Sequence, residues 1–210
     1  MTNSESAEIT MTELAIPFRG SRDYLAGTDL FSAISYWVSE CTGTSTVFVS
    51  QITFHRLATH AVRVMLGGSK PPPEAFANFT LDQTSSGSQT TGWLVETSKP
   101  VSSRVEYDEA GLVAGAQFDA SSKTGTLSIP EEFSTIQALV ALTKVLCNRV
   151  APGGGAWLFG RLDLTLPLKH QADTIEVSLK RLIDQRYAIL EVRQDAVHVG
   201  SIRFIKDTNA

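Results

Sequence analysis

Cysteine is scarce in this chain: Cys41 and Cys147 are the only two in 210 residues. Two thiols so far apart cannot build a disulfide framework, and neither sits in a C-x-x-C pair. A disulfide-stapled secreted scaffold and a cysteine-held zinc are therefore excluded, and a cytoplasmic location is expected. Histidine is thin as well. His55, His60, His170 and His198 show no H-x-x-x-H or H-E-x-x-H spacing, so neither a metal nor another cofactor is expected. No apolar run approaches the ~20 residues a membrane-spanning helix needs. The opening "MTNSESAEITMTE" lacks the basic start and apolar centre of a secretory signal, and residues 1–15 read as a flexible tail. Positive charge is short too: 18 Lys and Arg against 22 Asp and Glu leave a net charge of −4, which gives no footprint for nucleic acid. The glycine run "APGGGAW" (151–157) has neither the lysine nor the following helix of a phosphate-cradling loop, so it reads as a connector.

What the chain does have is the composition of a globular protein, with 42% hydrophobic and 19% charged residues. Its length suits one large domain or two small fused ones. Turn-forming stretches fall at 67–75 ("GGSKPPPEA", a stiff loop suited to a long crossover), 82–92, 119–128 and 151–155. The third lies just past the middle, and each side of it carries the same order: one apolar helix, then strands only.

In the second half the helix is expected from about Pro130 to Asn148, with Phe133, Ile136, Leu139, Val140, Leu142, Val145 and Leu146 covering nearly its whole circumference. A helix apolar all round is buried. Period-two alternation follows: Leu158, Leu162, Leu164, Leu166 and Leu168 on one face, then Ile175, Val177 and Leu179. Two further strands, "RYAILEVRQ" and "VHVGSIRFI", join tightly near Asp195 and Ala196, which makes the sheet antiparallel. The first half repeats the plan with "DLFSAISYWVSE" as its helix and strand-like segments at "TVFVSQITFHRL", "FANFTLD", "TGWLVETS", "SRVEYDE" and "LVAGAQFD". Cys41 and Cys147 each fall near the end of their helix, in keeping with a duplication. The fold class expected is α+β: a first unit over 16–122 and a second over 123–210, each a curled antiparallel sheet around a long apolar helix.

The segment "WLFGRLDLTLPLKHQADTIEVSL" (157–179) joins an aromatic-rich strand, a proline and a polar turn to an alternating strand. "QITFHRLATHAVRVML" is a fainter copy, and "LAGTDLFSAISYW" has a glycine at the helix entry. In these features the chain resembles the hotdog fold of acyl thioesterases and acyl-thioester dehydratases, in a double-hotdog arrangement, over about Ile16 to Ile205. The resemblance implies an acyl-thioester ligand, carried on coenzyme A or a carrier protein. Dehydratases of this fold pair a histidine on an early strand with a carboxylate on the partner unit's helix. Here Phe18 stands where that histidine is expected, and after Asp29 the first helix has no acid until Glu40. Thioesterases of the fold need only an Asp or Glu near the helix start.

The helix entry "FRGSRDYLAGTDL" (18–30) is therefore the candidate site. The first N–H groups of a helix lack partners and carry partial positive charge, which polarises a thioester carbonyl placed there. The Gly27 and Thr28 amides would do this, with Asp29 or Asp23 as general base and Arg19 and Tyr24 orienting the substrate. The competing reading makes Thr28 or Asp29 an ordinary N-cap, with Asp23 and Arg22 paired in solvent. His55, beside Arg56, is a further catalytic candidate at the cleft. In the second half Ser128 is expected to cap, and Glu131 and Glu132 to match the helix dipole, which leaves one working and one degenerate mouth. Arg149, Lys169, His170, Lys180 and Arg181 are the basic residues available to phosphates or an acidic carrier. No membrane or nucleic-acid partner is expected, and pairing of exposed sheet edges would allow a homodimer. The readings from other classes are a non-catalytic hotdog scaffold or carrier-docking module, and a 3-hydroxyacyl-thioester dehydratase.

Overall fold

A computed structural model describes residues 10–44, 46–67, 70–84 and 86–208; residues 1–9 of the expected tail lie outside the described residues, and the expectation is corrected for Thr10–Leu14, which form a strand paired with Val62–Leu66. The chain divides into two compact units, Met1–Val105 and Glu106–Ala210. The division falls ahead of the 119–128 turn that marks the boundary in the sequence, and the reason is local. Gln117–Asp119 and Thr124–Ser128 pair with each other as a hairpin and extend the second unit's sheet.

The first unit contains β1 (Thr10–Leu14), β2 (Phe18–Arg19), α1 (Gly27–Thr42), β3 (Val47–Phe54), β4 (His60–Leu66), β5 (Ala75–Gln83), β6 (Gln89–Pro100) and β7 (Arg104–Val105). Its main sheet is antiparallel in the order β1-β4-β6-β5-β3. β4 and β5 are consecutive in the chain but separated by β6, so the proline-rich 67–74 segment is indeed a crossover; residues 68 and 69 lie outside the described residues. β2 and β7 form a separate two-residue parallel pair. α1 buries Leu30, Phe31, Ile34, Trp37 and Val38, a single stripe at helical spacing. Tyr36 is 69% exposed and the last turn faces solvent. The expectation of a helix buried all round is corrected here: serines and Glu40 on the outer face make α1 amphipathic.

The second unit contains α2 (Glu109–Leu112), β8 (Gln117–Asp119), β9 (Thr124–Ser128), α3 (Thr135–Val150), β10 (Ala156–Leu164), β11 (Thr174–Ile183), β12 (Tyr187–Gln194) and β13 (Val197–Asp207). Its antiparallel order is β10-β13-β12-β11-β9-β8. The stretch "LVAGAQFD", expected as a strand, is the end of the one-turn α2, a turn, and β8. α3 is buried over most of its surface, Thr135, Gln137 and Thr143 included. Thr143 is tolerated there because its hydroxyl donates to the Leu139 carbonyl at 2.7 Å. The β12–β13 turn is as tight as the sequence implies: Asp195 and Ala196 both take left-handed conformations, φ 48° and 65°. A bulge between Phe159 and Arg161 puts Trp157, rather than Leu158, on the buried side with Leu162 and Leu164.

The two units share a frame. A pre-helix strand (β1 or β9) sits beside the second post-helix strand (β4 or β11), and the first post-helix strand (β3 or β10) lies at the far end of the order. They differ in the closing hairpin, which is inserted in opposite senses. Among the described residues no helix is long and apolar enough to cross a membrane.

Candidate functional site

The N-terminus of α1 is built by a short irregular segment held on both sides. Phe18 and Arg19 pair with Arg104 and Val105. From there Arg104 donates to the carbonyls of Gly20 and Arg22, both at 2.6 Å, and its guanidinium lies 5.3 Å from the Phe18 ring centroid. On the other side the Leu25 N–H donates to the Ala58 carbonyl at 2.8 Å. Clamped in this way, the chain enters α1 through Ala26, whose backbone is extended (φ −70°, ψ 131°).

Ala26 is the N-cap and has no side-chain acceptor to offer. The expectation that Thr28 or Asp29 caps the helix is thereby corrected: they sit inside it. The Ala26 carbonyl accepts the amides of Asp29 and Leu30, at 3.0 and 3.2 Å. Among the described residues the Gly27 and Thr28 amides donate to no protein acceptor. Asp29, in the first turn, accepts from Arg19 Nε at 2.6 Å, with its side chain 11% exposed. A carboxylate in that turn interacts favourably with the helix dipole. The structure thus brings Gly27, Thr28, Asp29 and Arg19 together. Tyr24 is half-buried, whereas Asp23 is exposed; neither makes a hydrogen bond or ion pair among the described residues, so the expected Arg22–Asp23 pair is absent. His55 lies just past β3, exposed, with Nε2 2.8 Å from Asn78 Oδ1.

A second cluster supports this mouth and was missed in the sequence. Glu96 of β6 accepts hydrogen bonds from the Thr59 and His60 amides at 2.7 and 2.9 Å, from the Thr59 hydroxyl, and from Arg56. His60 Nδ1 stands 3.4 Å from it. Burial pushes the Glu96 carboxyl upward, but the Arg56 hydrogen bond, the two amides and the Arg56 charge together hold it at about 2. Glu96 grips Thr59, and the adjacent Ala58 carbonyl grips Leu25. The carboxylate therefore holds the β3–β4 connection against the entry to α1. Glu96 lies about forty residues from its donors, and no local motif joins them.

The N-terminus of α3 is different. Pro130 to Phe133 form a turn, with the Phe133 N–H donating to Pro130 at 3.0 Å. Consequently the helix starts at Thr135 with Ser134 as N-cap, not at Pro130 behind Ser128, and Glu131 and Glu132 lie outside the first turn. Gln137 Oε1 accepts from the Ser134 N–H at 2.9 Å and from its hydroxyl at 3.2 Å. The spacing S-x-x-Q was the legible signal. The Thr135 N–H donates to the His170 carbonyl at 3.0 Å, and the Ala172 N–H to Thr135 Oγ1 at 2.8 Å. The chain itself thus fills the first donor of this mouth, and its first turn holds no acid.

Three of the five basic candidates are engaged separately. Arg149 stacks over Phe118 at 4.0 Å, Lys169 binds Asp195 at 2.5 Å and Lys180 binds Glu191 at 2.8 Å. Cys147 is buried, which pushes its thiol up to about 12, and Cys41 is exposed. Among the described residues no group of three or more His, Cys, Asp or Glu could hold a metal ion.

No family model matches the chain, and no curated protein matches it. Solved structures do. The dehydratase domain of PpsC from Mycobacterium tuberculosis, in complex with C12:1-CoA, is 10% identical with a TM-score of 0.54, over 95% of this chain and 93% of that one. An acyl-ACP thioesterase from Bacteroides thetaiotaomicron is 9% identical with a TM-score of 0.46, over 95% and 98%. At such identities the likeness is one of fold. The chain has the hotdog fold.

Proposed function

We propose that this chain is a double-hotdog protein of the cytoplasm that binds an acyl thioester, on coenzyme A or a carrier protein, and hydrolyses it at the α1 mouth. The observation that carries the reading is the pair of unpartnered amides at Gly27 and Thr28, with the Asp29 carboxylate one residue on. Donors without acceptors at the positive end of a helix suit a developing oxyanion. The fold likeness to a dehydratase domain solved with an acyl-CoA adds support.

In this reading the thioester oxygen lies against the two amides and Asp29 takes a proton from water as it adds to the carbonyl carbon. The tetrahedral intermediate then expels the thiolate, which recovers that proton, giving a carboxylic acid and a free thiol. Arg19 orients Asp29 and Tyr24 flanks the acyl group. Asp23 and His55 remain alternative bases. The double arrangement is supported by the frame common to the two units, and the reducing compartment by two free cysteines. A homodimer paired through sheet edges belongs to the same proposal.

Dehydration is less well supported, because Phe18 replaces the expected histidine and the first turn of α3 has no acid. A second reading, a non-catalytic scaffold or carrier-docking module, is favoured by one observation: Arg19 already occupies one Asp29 oxygen. The two separate on a panel of acyl-CoA esters of graded chain length. Hydrolysis, lost on Asp29→Asn with binding kept, supports the enzyme. Binding without hydrolysis supports the module, and neither binding nor hydrolysis across the panel removes both.

A further inference from the structure

The glycine connector after α3 covers a feature the α1 reading does not use. Lys206, the next-to-last residue of β13, points inward and is only 5% exposed. It stands opposite Trp157 of β10, with its ammonium 5.6 Å from the indole centroid. One N–H of that ammonium donates to the carbonyl of Ala151, the C-cap of α3, at 3.0 Å. Among the described residues it has no other hydrogen-bond partner and no carboxylate. The Trp157 indole N–H, 3% exposed, is also buried without an acceptor.

Capping explains part of this arrangement. A helix C-terminus carries about half a negative charge, and a lysine there is favourable. The Trp157 ring face offsets a further part, but no carboxylate among the described residues answers the charge, and buried charge is costly unless paired. A neutral acceptor could satisfy the spare N–H groups but not the charge. Gly153 and Gly155 take left-handed conformations (φ 120° and 96°), and a Cβ at Gly153 would stand 3.8 Å from the Lys206 nitrogen. Glycine there leaves the ammonium without a side chain over it.

We propose that Lys206 and Trp157, under the 153–155 loop, form a binding site for an oxyanion: a carboxylate or phosphate, free or as the end of a larger ligand. The site lies within the second unit and is independent of the reading of α1. The test uses the full chain labelled with nitrogen-15. The indole resonance missing from Trp157→Phe is followed while inorganic phosphate, and separately acetate, replaces chloride at constant ionic strength. A saturable shift of that resonance is expected, stronger with one anion than the other, and that preference tells phosphate ends from carboxylate ends. In Lys206→Met the affinity should fall at least tenfold while the fold persists, because an apolar stem fills the same space. If that variant does not fold, Lys206→Arg serves instead: it keeps the charge, so the shift should survive. No shift with either anion, or the same shift in Lys206→Met, overturns the proposal.

Discussion

The mouths of α1 and α3 start sixteen-residue helices and differ at the first N–H group, which has no protein acceptor at Gly27 among the described residues and the His170 carbonyl at Thr135. At α3 the chain ties the entry to itself: the Ser134 N–H and hydroxyl donate to Gln137 Oε1, the His170 carbonyl takes the Thr135 amide, and Thr135 Oγ1 takes the Ala172 N–H. At α1 the cap is an alanine, two amides are left over, and a carboxylate is steered in by an arginine. A cap stabilises by about 0.5–2 kcal/mol. Forgoing one while three separate contacts hold the entry fits the proposed reading of this mouth as a ligand site. The contrast teaches that function is sought where satisfaction is withheld inside an otherwise well-fixed frame.

The largest effect that would break the comparison is on turnover. Asp29→Asn should lower kcat for acyl-CoA hydrolysis by about 10²–10⁴-fold, the usual worth of a general base, with the circular dichroism spectrum unchanged. The same rate in both proteins would make the open mouth a binding feature only.

Next is acid. Because the folded Glu96 carboxyl is held at about 2 against an ordinary 4.5, its stabilisation is complete above the ordinary value. It is lost as pH falls through the window down to about 2. Glu96 staples only the α1 entry, so hydrogen exchange at Leu25 should accelerate in that window before exchange at Thr135 and Ala172. Glu96→Gln should flatten the acid limb of the stability curve. Simultaneous loss at both mouths would contradict the staple.

A paired substitution sharpens the contrast in neutral solution. Thr135→Val leaves the buried Ala172 N–H without its acceptor and should cost about 1–3 kcal/mol, read from denaturant midpoints. Thr28→Val, whose hydroxyl makes no hydrogen bond among the described residues, should be close to neutral. The smallest effect comes from closing the open mouth. Ala26→Ser puts an acceptor at a backbone already in cap geometry; it should stabilise by about 1 kcal/mol and weaken acyl-CoA binding in a titration. A cap that stabilises without touching affinity would separate the free amides from the ligand.

Much of the fold was legible because burial imposes periodicity. Leu30, Ile34 and Trp37 announced α1, and Leu139, Leu142 and Leu146 announced α3, while Asp195-Ala196 fixed the last hairpin. What failed did so for physical reasons. Tyr36 reads as apolar beside the buried stripe of α1, yet it faces water. Pro130 looked like a first helical residue, but the Pro130–Phe133 turn delays the start to the Ser134 cap. The Phe159 bulge moved Leu158 off the face that strict alternation gave it. Of the candidate site, the grouping of Arg19, Gly27, Thr28 and Asp29 was readable because they are local to one helix start. Glu96, Arg56 and Arg104 were not, since these pairings span 36 to 84 residues and only the sheet register brings them together.

The most direct measurement is an amide NMR titration of the full chain with a non-hydrolysable acyl-CoA thioether ketone, whose carbonyl stands in for the thioester's. If a carbonyl seeks the unfilled donors, the Gly27 and Thr28 N–H resonances shift together and saturate with the ligand, while those of Thr135 and Ala172 stay put. Saturable binding that leaves Gly27 and Thr28 undisturbed would contradict the account.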